Sequence, residues 1–204
     1  MNCLKERDRQ CLANLSDDRD RIVYRVSLEL LQSAEVKVSK ELQERTDPRM
    51  LRPRECFAEA YHYLTWHCRQ AGILLVHGTS SLGGGDDHAW VELSDDIVFD
   101  GVLQRFYKKS SYYKLTGAQA FDKFTPGAAF IICARLNTPG APTTLYGGWG
   151  HRLQLPVFDP SRPQPIDYPQ VEDYLAKAGF GAKPTQSRGM AGAGGKLSRS
   201  RKRY

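Results

Sequence analysis

Three residues of the 204-residue chain have the types and spacing for nucleophilic chemistry: Cys56, His88 and Asp100. A cysteine becomes a nucleophile when its thiolate is populated, and the positive end of a helix favours that state. Cys56 follows Pro53 closely. Proline suits a first helical turn because its missing N–H is not needed there. The same turn leaves the Cys56 N–H unpaired and able to hold a developing oxyanion. A thiol nucleophile also needs a base, and the base needs a third group to orient it. In "HAWVELSDDIVFD", pairing Val91 with Ile97 across a five-residue loop sets His88 opposite Asp100. Opposed residues share a sheet face with Cβ atoms about 4.5–5.5 Å apart, so the imidazole and carboxylate can touch. A slip of one residue would put them on opposite faces.

The elements that must carry these residues follow from local patterns. "SDDRD" supplies Ser16 or an early Asp as a helix cap, and Ile22, Val23, Val26, Leu30 and Leu31 then recur at helical spacing as an amphipathic face. Pro48 ends that region. A second helix runs from Arg54 to about Ala71, with Gly72 as its stop. "ILLVHGTS" (73–80), "HAWVEL" and "DIVFDGV" read as strands, and "SLGGGDD" as a flexible loop beside the site. A short helix is expected around "GAQAFDKF", and "AAFIICARL" (128–136) is expected to be a strand buried on both faces. A Gly/Pro-rich loop, a strand candidate "RLQLPVFD" and a short helix in "DYPQVEDYLAKAGF" complete the body. The expected organisation is one α+β domain over 1–180, N-terminal helices on an antiparallel sheet, with a disordered tail over 181–204.

Cys at a helix start, His opening a strand and Asp on the next strand resemble the transglutaminase-like branch of the papain-like cysteine enzymes. "ECFAEAYHYL" is similar to the C-[YF]-x-[NE]-A helix of small transglutaminase-like proteins, and "HAWVEL…VFDGV" to their H-[AS]-W-[VN]…V-x-D segment. The resemblance spans roughly residues 50 to 135. It implies a papain-like fold and an acyl-enzyme mechanism at an amide or ester. Cys56 would attack the carbonyl, His88 shuttle the proton and Asp100 orient the imidazole. The acyl group would pass to water or to an amine, which leaves peptidase, amidase, deamidase and transglutaminase open. A protein or peptide substrate is implied, with no metal or organic cofactor. Two departures stand out. The family's V-x-D is often followed by Pro, whereas Gly101 follows Asp100, and "VFDP" occurs only at Asp159. Papain-like enzymes also add a side-chain donor to the oxyanion hole, often an upstream Gln; Gln43 lies 13 residues before Cys56, a long reach, and the second donor stays unassigned.

Other residues have competing readings. Cys68 lies near the far end of the Cys56 helix, Cys133 inside an apolar run, and Cys3 and Cys11 in an N-terminal stretch with no evident partner. Five cysteines without a C-x-x-C pair suggest neither a disulfide framework nor a zinc ribbon. His151 is the rival base. His62 and His67 are five apart, a spacing that does not put two metal ligands on one helical face. Trp90 shares the His88 face, where it either walls a substrate cleft or packs the core. Tyr107, Tyr112 and Tyr113 interleave with Lys108, Lys109 and Lys114, a pattern that either contacts nucleic acid or packs over the core.

The net charge of +6 is localised: residues 181–204 carry seven Lys and Arg and no acid, while the rest holds 22 basic and 23 acidic side chains. That tail can contact nucleic acid or an anionic surface weakly, or simply be solvated. The charged N-terminus lacks the apolar stretch of a secretory signal, and the longest apolar run, 127–134, is far below the roughly 20 residues of a membrane span. A cytoplasmic location is the expectation. Two alternatives to an enzyme remain: an inactive binding protein on the same fold, and a nucleic-acid-associated protein using its basic tail.

Overall fold

The computed structural model describes residues 4–82, 87–94, 96–136 and 165–177. Helices α1 (Glu6–Ala13), α2 (Asp18–Leu31) and α3 (Cys56–Trp66) precede strands β1 (Leu74–Thr79), β2 (Asp87–Leu93), β3 (Ile97–Asp100) and β4 (Arg105–Lys108). Helix α4 (Lys109–Thr116), strand β5 (Gln119–Phe124), helix α5 (Pro126–Leu136), a 3-10 turn at Tyr168–Gln170 and helix α6 (Val171–Lys177) follow. The strands form one antiparallel sheet in the order β4-β3-β2-β1-β5. The described architecture is therefore α+β.

Helices lie on both faces of this sheet. Strand alternation puts Ala89 and Val91 on one face of β2, with His88, Trp90 and Glu92 on the other. Helix α3 covers the first face: Phe57 meets the ring of His77 edge-on and Tyr63 stacks on Phe99 at 4.0 Å. Helix α4 covers the second, bringing Tyr112 and Tyr113 around Trp90. With both faces covered, β2 is buried from His88 to Leu93. No described helix is long and apolar enough to cross a membrane.

Several local expectations change. The Asp17 side chain caps α2 by accepting the N–H groups of Arg19 and Asp20, yet the buried face is Tyr24, Ser27, Leu28 and Leu31. Ile22 and Val26 are 66% and 59% exposed, and Leu30 is also exposed, so most of the expected apolar face points to solvent. The second helix begins at Cys56, after Arg54 adopts a left-handed φ of 66° that helical backbone excludes. It ends at Trp66, and Gly72 closes the following turn with φ 72°.

"GAQAFDKF" and "AAFIICARL" exchange their expected types. The first supplies β5, because it pairs with β1, and the second becomes α5. The start of α5 is written in Thr125-Pro126: Thr125 Oγ1 accepts the Ala128 N–H, and proline occupies the first helical position. The N-terminal stretch forms α1, and Cys11 has partners after all. Its Sγ donates to the Pro48 carbonyl at 3.5 Å and accepts from Arg105 at 3.7 Å. Asp159, His151, "RLQLPVFD" and the tail over 181–204 lie outside the described residues, as does most of "SLGGGDD".

Candidate active site

The β2–β3 hairpin pairs Leu93 with Ile97 and Val91 with Phe99. Its loop is three residues, 94–96, not five, and Asp96 closes it with φ 59°, the left-handed residue such loops require. The register is thus two residues away from the expected one. Because the side-chain period is also two, every residue keeps its face. Continued one step, the register sets Asp100 opposite Trp90 and makes its contact with His88 diagonal. The His88 Nε2–H donates to Asp100 Oδ2 at 2.9 Å.

Asp100 has no exposed surface, and both its oxygens are occupied. Oδ2 accepts from His88 and from the Tyr112 hydroxyl at 2.7 Å, while Oδ1 accepts the N–H groups of Val102 (3.0 Å) and Leu103 (2.9 Å). Burial opposes its charge, but the His88 charge and these donors outweigh that and hold its carboxyl below the ordinary range. Tyr112, read in the sequence only as part of the Tyr/Lys segment, is thus a residue of this site. Its own pKa is pushed well up, by burial first and then by the Asp100 charge, so it keeps its proton and remains a hydrogen-bond donor.

Cys56 stands at the first position of α3, and no described side chain caps that helix. Its first-turn N–H groups therefore stay available. Although α3 covers the opposite face from His88, its N-terminal turns cross the end of β3. A Cβ on Gly101 would lie 2.7 Å from Glu59 Cβ and 3.0 Å from the Ala60 nitrogen. Glycine after Asp100 thus gives the backbone clearance that a side chain would fill. Gln104 reinforces the crossing, donating to Glu59 Oε2 at 3.0 Å and to the Gly101 carbonyl at 2.7 Å. From this end Cys56 comes near enough to His88 for its sulfur to favour the charged ring. With Nε2 committed to Asp100, Nδ1 is the nitrogen left for sulfur.

His88 is 3% exposed. Burial works against its charged form, but Asp100, through its charge and its hydrogen bond, prevails with help from Cys56 and raises the ring to about 10. The site thus holds an imidazolium through neutral pH. Trp90 stacks beside this ring at 6.1 Å and has no exposed surface. Its Nε1–H donates to Tyr113 Oη at 3.3 Å, and Tyr113 in turn donates to Glu92. Trp90 therefore packs and orients His88 from within the core, and it does not wall an open cleft.

Gln43 is not at this site. Its amide donates to the Val38 carbonyl at 2.9 Å on an exposed surface. His62 is exposed, while His67 is packed with Nε2 near the Glu44 carbonyl. Among the described residues no group of three His, Cys, Asp or Glu side chains could hold a metal ion. Tyr107 and Tyr112 are buried, so the Tyr/Lys segment does not present its aromatics as a stacking surface. No family model, no curated protein and no solved structure matches the chain.

Proposed function

We propose that the protein is a thiol-dependent acyl-transfer enzyme or hydrolase on a papain-like, transglutaminase-like architecture. Cys56 is its nucleophile, His88 its acid–base and Asp100 the group that orients the ring. The single observation that supports this most is His88, hydrogen-bonded to a buried carboxylate and lying near the sulfur at a helix N-terminus. A buried charged imidazole is costly unless its neighbours are acidic, and this one has an acid on each side. A thiolate–imidazolium pair accounts for the arrangement.

In the reaction, Sγ adds to an amide or ester carbonyl and the leaving group takes the proton from His88 as it departs. The Cys56 thioester is then attacked by water or an amine, whose proton returns to His88. Asp100 holds one ring tautomer and stabilises the charge without taking the proton. The Cys56 residue is 9% exposed, which favours a slim acyl group reaching the sulfur over a bulky backbone segment lying across it. Protein side-chain amides fit that limit.

The test is acylation by 4-nitrophenyl acetate, followed by intact-mass and peptide mapping. A stoichiometric acetyl adduct on Cys56, lost in Cys56→Ala and slowed at least about 100-fold in His88→Ala, is expected. Acetylation spread evenly over the thiols and indifferent to His88 would favour a non-catalytic protein of the same fold.

A further inference from the structure

We propose that the cavity between the start of α1 and the segment bordering β4 binds a small phosphomonoester, with Arg105 at its inner wall and Lys5, Arg7 and Lys37 nearer its mouth. None of Cys56, His88 and Asp100 lines this cavity, so the inference goes beyond the acyl-transfer reading and does not depend on it.

The cavity has a volume of about 280 Å³, near the lower end for small-molecule sites. One wall comes from residues 34–37, which run along the outer edge of β4. The Val36 N–H donates to the Phe106 carbonyl and the Lys108 N–H to the Ala34 carbonyl, both at 2.9 Å. Glu35 and Lys37 from this segment line the cavity, as do Lys5 and Arg7 from the start of α1 and Arg105 from β4.

Charge decides what fits. Lys5 and Arg7 already hold the Glu35 carboxylate, at 2.7 and 2.9 Å. Arg7 and Arg105 likewise hold Asp8, at 3.1 and 2.9 Å. Lys37 is exposed and pairs with no acid among the described residues. Four cations thus share two carboxylates, and neither carboxylate is left to attract a cationic ligand.

Arg105 adds the decisive observation. It is 3% exposed. One of its terminal nitrogens binds Asp8 and the Pro48 carbonyl (3.1 Å), yet its Nε–H is buried without an acceptor among the described residues. A guanidinium carries five donors in a fixed fork, and a buried donor left unmatched is costly. The cavity therefore combines surplus positive charge with an unmet donor. A phosphomonoester brings three acceptor oxygens and a charge of about −1.5 to −2 at pH 7, which suits both. A single carboxylate brings less of each.

The test is isothermal titration of the full-length protein with glycerol 3-phosphate at an ionic strength of about 0.15 M. One saturable site is expected. Lys37→Glu reverses a charge that no ion pair uses, and it should weaken binding at least about tenfold. Lys196→Glu makes the same change in the basic tail and should stay within about twofold of the parent. Arg105→Lys keeps a cation for Asp8 but removes the Nε–H, and should weaken binding about fivefold or more. The thermal midpoint without ligand reports folding, and if Arg105→Lys lowers it, the exposed Lys37 carries the comparison. No saturable binding by the parent, or equal effects of the Lys37 and Lys196 changes, would overturn the site. Tighter binding of succinate than of glycerol 3-phosphate would overturn the choice of a phosphomonoester.

Discussion

The four hydrogen bonds on Asp100 make it the best-supported side chain of the site, and its supporters have separable roles. Tyr112→Phe removes one donor from Oδ2 and leaves His88 in place. The expected cost is about 1.5–3 kcal/mol in urea unfolding, with a modest effect on Cys56 reactivity. Asp100→Asn removes the charge that keeps His88 protonated, so the ring falls back towards its ordinary value of 6.5 and is largely neutral at pH 7.5. Iodoacetamide labelling of Cys56 at that pH is then expected to slow at least about 10-fold. The sign of the pH dependence of stability follows from the same pair. His88 is raised, so its contribution is full below about pH 6.5 and is lost as pH rises through about 10. Asp100 is lowered, so its contribution is present above its ordinary 3.8 and fades as pH falls below it. Urea midpoints between pH 7 and 10.5 should therefore fall more steeply in the parent than in His88→Gln. The His88–Asp100 contact was legible in the sequence because alternation survives a two-residue error in register. Tyr112 was not legible, since nothing local distinguishes it from Tyr113; only the helix rotation of α4 aims it at the carboxylate.

At the scale of elements, close backbone approach decides whether thiol and imidazole meet. Gly101→Ala places a methyl against Glu59 Cβ and the Ala60 nitrogen, neither of which is the flexible end of a side chain. A loss of about 1–3 kcal/mol is expected. If α3 moves away, labelling of Cys56 should also lose its dependence on His88; calorimetry and labelling of the same variant check both effects. Gly78 is tighter still: a Cβ there would lie 2.0 Å from the Gln119 carbonyl oxygen and 2.8 Å from the Trp90 ring. Gly78→Ala should therefore break the β1–β5 pairing and unfold the domain more severely than Gly101→Ala, as thermal midpoints would show. The presence of α3 was readable but not its start, because left-handed Arg54 holds Pro53 out of the first turn and the helix begins at Cys56; the three strands over 73–100 were readable from their apolar alternation. The exchange of β5 and α5 has a physical cause. A short apolar run fits a buried helix as well as a strand, and the β-branched and aromatic content of "FII" favours the strand, whereas Thr125-Pro126 starts the helix that forms. The face of α2 was misread for a related reason: Tyr24, Ser27, Leu28 and Leu31 share one side, and the more hydrophobic Ile22 and Val26 share the other.

For the whole molecule, charge and chemistry separate along the chain. The basic excess belongs to residues 181–204, while Cys56, His88 and Asp100 are carried by α3, β2 and β3. Deleting 181–204 should leave Cys56 labelling and the thermal midpoint unchanged while lowering the salt needed to elute the protein from a DNA column. A drop in Cys56 reactivity on truncation would join the tail to the site. The central claim is that sulfur, imidazole and carboxylate act as one unit, and competitive iodoacetamide labelling across pH, resolved by cysteine, tests it most directly. The half-exposed Cys68 on the same chain serves as the internal reference. At pH 7 Cys56 should react at least about 10-fold faster than Cys68 in the parent. That advantage should vanish in His88→Ala. Equal labelling of the two thiols at pH 7, or an advantage of Cys56 that survives His88→Ala, would contradict the account.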